Sequence, residues 1–175
     1  SDEPVSFVDL LPTVCEITGI APPTDRHLDG ASFLPVLKGG TVARKQPLYW
    51  QFNRASSAPK VAMRDGDWKI LAGLDKTPGA RSNDITEESE RDFKTASLVN
   101  FEIYNLKRDI GETTNLATSE PARLEELRAR LQSLYEQVRA ESPTWPAWKF
   151  TGVEGKKIKW PDYVTKKRPA TPKPR

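Results

Sequence analysis

The dipeptide Asp65-Gly66, set between Val61-Ala62-Met63-Arg64 and Asp67-Trp68-Lys69-Ile70-Leu71, constrains this chain more than any other feature. Two apolar runs flanking Asp-Gly predict a β-hairpin, because the tight turn that matches strand twist needs positive φ at its centre. A hairpin makes the sheet antiparallel. Leu48 to Arg54 reads as a further strand, in which Leu48, Trp50 and Phe52 alternate with Tyr49, Gln51 and Asn53 and give one apolar face. Phe101 to Tyr104 supplies a fourth strand.

A long helix is expected to cover that sheet. Between Ser119 and Glu141, Leu124, Leu127, Leu131, Leu134, Tyr135 and Val138 form one apolar stripe. Thr118 or Ser119 serves as its cap, Pro121 lies in its first turn, and Pro143 ends it. The fold class this predicts is α+β: a small four-stranded antiparallel sheet packed against a long C-terminal amphipathic helix. Ahead of the sheet, Phe7, Val8, Leu11, Val14, Cys15 and Thr18 fall at helical spacing, with Asp9 as N-cap and Gly19 as left-handed C-cap. Asp29 to Gly39 reads as a turn and a short apolar helix closed by Gly39. Residues 72–98 form a long polar connection, within which Thr86-Glu87-Glu88 and Lys94 frame one short helix.

Charge is segregated along the chain. The net charge is +3, yet residues 156–175 hold eight Lys/Arg and a single acid, Asp162. That tail carries +7, so the remaining residues carry −4. The acidic body argues against nucleic-acid binding, and the last basic cluster has no interleaved aromatics. From Pro143 onward the prolines and Trp145, Trp148 and Trp160 predict an extended segment laid on a surface, with a disordered end from Lys166. No run reaches the roughly 18 apolar residues of a membrane helix, so no membrane partner is expected. The opening Ser1-Asp2-Glu3-Pro4, directly before a helical pattern, is how a piece of a longer protein begins.

The chain contains one cysteine, Cys15, and one histidine, His27. A single cysteine forms no internal disulfide. A hydrolytic triad would have to use His27, which sits in a Pro/Asp turn rather than beside a nucleophile. No Cys/His cluster has zinc spacing, no glycine-rich loop cradles phosphate, and the acids at 87, 88 and 90 lack calcium-loop spacing. The expected catalytic set and metal set within this chain are therefore both empty.

Four stretches, in order, carry a resemblance. They are Val8-Asp9-Leu10-Leu11-Pro12-Thr13-Val14 with Gly19-Ile20; Leu28-Asp29-Gly30 through Lys38-Gly39; Ala62-Met63-Arg64-Asp65-Gly66-Asp67-Trp68-Lys69-Ile70; and Ile103-Tyr104-Asn105-Leu106 through Glu112-Thr113-Thr114-Asn115-Leu116-Ala117. Together they resemble the closing signatures of the sulfatase family, with Asn105 where that pattern has Asp and Ile110 where it has Pro. The resemblance implies the C-terminal portion of a formylglycine-dependent sulfuric ester hydrolase of the alkaline-phosphatase superfamily. Residues 1–40 would then end, or connect from, an upstream α/β catalytic domain. Residues 41–142 would form the sheet-and-helix subdomain, and 143–175 the tail.

The family's nucleophile arises from the Cys of Cys-x-Pro-x-Arg, but Cys15 is followed by Glu16-Ile17-Thr18-Gly19. The resemblance thus places formylglycine and calcium in the missing N-terminal domain, which becomes the principal partner, and makes this piece inactive alone. It also implies a periplasmic or secreted protein, a sulfated carbohydrate as a further partner, and self-association of a piece deprived of its domain contacts. Gln51, Asn53 and Arg54 end a strand on its polar face, and His27 precedes Leu28-Asp29-Gly30. These four are the candidate substrate-binding residues, Arg54 offering a bidentate grip on an anion. The alternatives are a solvated sheet face and a surface histidine. Trp50, Trp68 and Tyr104 fit either a sugar-stacking platform or a core. A core Trp68 predicts a cost of roughly 3–5 kcal/mol on truncation to Ala. Two other functional classes compete: a phosphodiesterase or phosphonate hydrolase of the same superfamily, and a stand-alone carbohydrate or polyanion-binding module.

Overall fold

A computed structural model describes residues 1–25, 27–52, 60–76 and 87–142. Four strands form one antiparallel sheet in chain order: β1 (Leu48–Phe52), β2 (Lys60–Asp65), β3 (Trp68–Leu74) and β4 (Leu98–Asn105). Among the described residues three α-helices accompany it: α1 (Leu10–Thr18), α2 (Glu87–Thr95) and α3 (Pro121–Glu141). The β2–β3 turn falls at Gly66, whose φ of +56° explains the glycine. Between Leu71/Glu102 and Gly73/Val99 the pairing advances two residues on β3 but three on β4. The additional β4 residue is a bulge, and Asn100 takes φ +54° beside it.

Register decides which face is core. Tyr49, Met63, Ile70 and Ile103 are cross-strand partners, as are Gln51, Val61 and Ala72. Val61, Met63, Ile70 and Ile103 are each 0% exposed, and α3 seals them with Leu127, Leu131 and Tyr135. Each such side chain contributes about 1.5–3 kcal/mol before entropy. The apolar row of β1 therefore faces the other way. Leu48, Trp50 and Phe52 align with Arg64, Ala62 and Lys60, on the side opposite α3. The alternation in β1 gives the period correctly but does not give the buried side. The two central strands set that, through Val61/Met63 and Ile70/Ala72.

α3 begins at Pro121 after Glu120, and no side chain caps it. The Ser119 hydroxyl instead donates to the Leu116 carbonyl, and Pro121 brings no N–H to satisfy. At the other end, Lys94 of α2 donates to the Ser142 carbonyl at 2.6 Å, a cation at the helix's negative pole. Tyr135 Oη and Arg139 both donate to the Ala96 carbonyl, at 3.0 and 2.9 Å. The long polar connection thus becomes strand, helix and strand over much of its length. Its middle, like the 143–175 tail, lies outside the described residues.

Trp68 is half-buried on the α3 side, 5.3 Å below the Arg123 guanidinium. Trp50 and Tyr104 lie on the opposite face. The three aromatics therefore form neither one stacking platform nor one core.

Candidate functional site

Three constructions hold whatever function this chain has. The first is centred on Asp9. Its carboxylate, 0% exposed, accepts from the backbone N–H of Ser6 at 2.7 Å and Ala31 at 3.0 Å, and from Arg44 Nη1 at 2.8 Å. Arg44 also donates to the Pro4 carbonyl at 2.9 Å. Burial alone would raise the Asp9 pKa, but Arg44 and the two backbone donors outweigh it and hold the carboxyl below its ordinary range. The expected N-cap of α1 is thus a tertiary hub, with a 3-10 turn at Phe7–Asp9 preceding the helix. Arg44 recruits the carboxylate away from the helix end. Gly30 is obligatory here, since a Cβ would fall 2.0 Å from the Val8 carbonyl oxygen.

The second is the seam from β4 to α3. Asn105 Oδ1 accepts from the N–H of Lys107 and Arg108, so the family's Asp is not needed for that turn. Asp109 accepts from the N–H of Thr113 and Thr114 at 2.8 and 2.9 Å. These bonds, that from Thr114 foremost, hold its carboxyl below the usual range. Asn115 Oδ1 takes the N–H of Ile103 and Ala117, and the Leu116 N–H donates to the Ile103 carbonyl. The Asn105, Asp109 and Asn115 side chains of the signature are engaged by backbone N–H groups, so it works as a joint.

The third is a groove of about 610 Å³ on the outer sheet face. Trp50, Ala62 and Leu71 form its floor, and Phe52, Leu106 and Ile110 its apolar walls. Phe52 is 57% and Ile110 77% exposed. Lys60, Arg64 and Lys69 add three cations against one acid, Glu112. Lys69 Nζ holds both Glu112 oxygens, at 2.6 and 2.8 Å. Glu112 takes φ +54°, a conformation costing about 1–2 kcal/mol for a side chain with Cβ. Tyr104 on the same face donates to Glu102 at 2.6 Å, and that bond pushes its phenol up to about 12.

The sequence-predicted residues do not converge on this groove. Gln51 points to the α3 side, where its Oε1 accepts from the Tyr49 hydroxyl at 2.8 Å. His27 lines a separate hollow of about 230 Å³ beside Asp29, Gln46 and the C-terminal end of α3. Asn53 and Arg54 lie outside the described residues. Lys60 and Arg64 on β2 and Lys69 on β3 take same-face positions. Their meaning depended on the register. Among the described residues, no three His, Cys, Asp or Glu side chains stand close enough to hold a metal ion. Cys15 is buried within α1. These residues do not fit calcium or a formylglycine.

No protein-family model matches the chain. N-acetylgalactosamine-6-sulfatase of Sus scrofa is 27% identical over 130 residues, covering 70% of this chain and 24% of that protein. Choline-sulfatase of Rhizobium meliloti (strain 1021) is 38% identical over 70 residues, 39% of this chain and 13% of that protein. The chain is a relative of the sulfatases. The human N-acetylgalactosamine-6-sulfatase agrees, at 27% over 139 residues. This sulfatase relative spans about a quarter of the length of the N-acetylgalactosamine-6-sulfatases it matches. Its fold recurs in the solved structure of Ps i-CgsB, with a TM-score of 0.56 at 21% identity, over 93% of this chain and 30% of that one. It recurs too in BT4656 in complex with its substrate D-glucosamine-2-N,6-O-disulfate, with a TM-score of 0.50 over 78% and 25%. Among the described residues, no helix is long and apolar enough to cross a membrane.

Proposed function

We propose that this chain is the C-terminal part of a sulfatase, in which it supports a catalytic domain and contributes one wall of the substrate pocket. The observation that carries the reading is the match to N-acetylgalactosamine-6-sulfatases over 70–75% of the chain. The construction of the β4–α3 seam supports a structural role, since Asn105, Asp109 and Asn115 are spent on backbone. The exposed apolar residues of the α1 segment support a neighbouring domain: Phe7 just before the helix is 88%, Ile17 on it 60% and Ile20 just after it 66% exposed. Several large exposed apolar side chains along one segment mark an interaction site.

In this reading, sulfuric ester hydrolysis belongs to residues outside the chain. Calcium and formylglycine, if carried there, would supply charge neutralisation and the nucleophile. His27, Gln51, Asn53 and Arg54 contact the part of the substrate beyond the sulfate. The substrate class is a carbohydrate sulfate, as the names of the N-acetylgalactosamine-6-sulfatases and the BT4656 ligand suggest, and the enzyme is secreted or periplasmic. The test uses the longer polypeptide with a sulfate monoester and a phosphonate monoester side by side. Preference for the sulfate is expected, and preference for the phosphonate would move the chain to the phosphonate hydrolases. Arg54→Ala is then expected to lower kcat/KM on the sulfated sugar. An unchanged kcat/KM removes Arg54 from the wall.

A further inference from the structure

The groove on the outer sheet face is apolar across three strands, with Trp50, Ala62 and Leu71 as its floor. Phe52 and Ile110 stand beside that floor, 57% and 77% exposed. Its cations are matched locally. Lys69 Nζ holds Glu112, and Lys60 faces Glu102 at 4.0 Å. Arg64 opens toward a neighbouring hollow that Glu3, Asp65 and Asp67 also line. A nearly neutral, apolar occupant therefore suits this groove better than a polyanion or a polycation, because charge is depleted where a contact is fully buried.

We propose that residues 144–150 of this chain, Thr-Trp-Pro-Ala-Trp-Lys-Phe, close over the groove, with Trp148 and Phe150 seated against Trp50, Phe52 and Ile110. Those seven residues lie outside the described ones, but the point from which they leave is described. α3 ends at Glu141, and Ser142 lines one hollow with Gln46, two residues before β1 begins at Leu48. β1 is an edge strand of the sheet, so a segment leaving there passes round it to the outer face without crossing another strand. At the strand rise of about 3.3 Å per residue, Trp50 and Phe52 lie at most about 13 and 20 Å beyond Gln46. An extended segment starting from Ser142 spans about 10, 20 and 26 Å at Trp145, Trp148 and Phe150. Trp145 falls short of the groove, while Trp148 and Phe150 reach it with slack to round the edge. Composition selects the same stretch. Lys149 is the single charged residue between Pro143 and Val153, and Pro143 and Pro146 restrict φ and so lower the entropy lost on docking. Lys156, Lys157 and Lys159 follow, and would set more cations beside Lys60 and Lys69. Tethering gives the segment an effective concentration of about millimolar, which favours it over a second copy of the chain. The contact lies within the 175 residues and needs no other part of a longer polypeptide.

Hydroxyl-radical footprinting of side chains in the 175-residue protein tests this. Trp148→Ser with Phe150→Ser is expected to raise labelling of Phe52 and Ile110 about fivefold, since the core of a contact excludes solvent. Labelling of Ile17 and Ile20, on the α1 segment, is expected to stay unchanged. The reciprocal variant Phe52→Asp, at an exposed position, is expected to raise labelling of Trp148 and Phe150 by a similar factor. Met63, 0% exposed, stays protected in each variant while the core is intact. Unchanged labelling of Phe52 and Ile110 in the tail variant overturns the proposal. So does labelling of Trp148 and Phe150 that is indifferent to Phe52→Asp with Met63 still protected. Protection of Phe52 that is lost on dilution makes a second copy the occupant, and protection that needs an added sulfated glycan makes the glycan the occupant; either result overturns it as well.

Discussion

Arg44→Ala removes the guanidinium from a carboxylate that is 0% exposed, with Arg44 itself 15% exposed. The backbone donors Ser6 and Ala31 remain, but the charge loses its counterion in a site closed to water. Breaking a buried pair from one side costs about 3–5 kcal/mol, mostly from the uncompensated charge. The cost falls on the segment that Asp9 ties together, the turn at Phe7–Asp9, Ala31 and Arg44. Native-state hydrogen exchange is therefore the assay. With about 1.36 kcal/mol per tenfold, the amides of Ser6 and Ala31 should exchange about a hundred- to a few thousand-fold faster. The double substitution Asp9→Asn with Arg44→Met removes both charges and should recover much of the protection. Acid gives the same answer without mutation. The folded pKa of Asp9 lies below its unfolded value of 3.8, so its stabilisation is complete above that value and is lost as pH falls through the folded pKa. Acceleration below about fivefold in Arg44→Ala, which is under about 1 kcal/mol, would refute the hub.

Three further substitutions test other parts of the fold. Trp68→Ala should cost about 2 kcal/mol in urea unfolding, less than the 3–5 of a fully buried aromatic, because the ring is half-buried and keeps one face for Arg123. Asn115→Ala leaves the N–H groups of Ile103 and Ala117 without their acceptor, so a loss of about 1–2 kcal/mol is expected with an unchanged m-value. Gly30→Ala drives a methyl into the Val8 carbonyl and should lower the melting temperature by several degrees, for a cost of about 1–3 kcal/mol; an unchanged melting temperature would mean that the 27–33 segment is not packed against residue 8.

Much of the fold was legible because local signals agreed with one another. Asp65-Gly66 fixed the hairpin, the Leu124–Val138 stripe fixed α3, and Gly19 and Gly39 closed their helices at φ +70° and +82°. What was not legible depended on long-range choices. The side of β1 that faces α3 is set by its pairing with β2, so Gln51 turns toward α3 while Trp50 and Phe52 lie on the opposite face. Asp9 could not be told from an ordinary cap, because its true partner, Arg44, lies 35 residues away. The groove was hidden for the same reason: its members come from β1, β2, β3 and the seam, and no single window contains them.

The central proposal is that this chain is part of a sulfatase whose chemistry resides elsewhere in the polypeptide. Initial rates on a chromogenic sulfate ester, measured at equal molar concentration for the 175-residue chain and for the longer polypeptide, test it most directly. Turnover by the longer polypeptide and none by the chain is the expected result. Turnover by the chain alone would contradict the account.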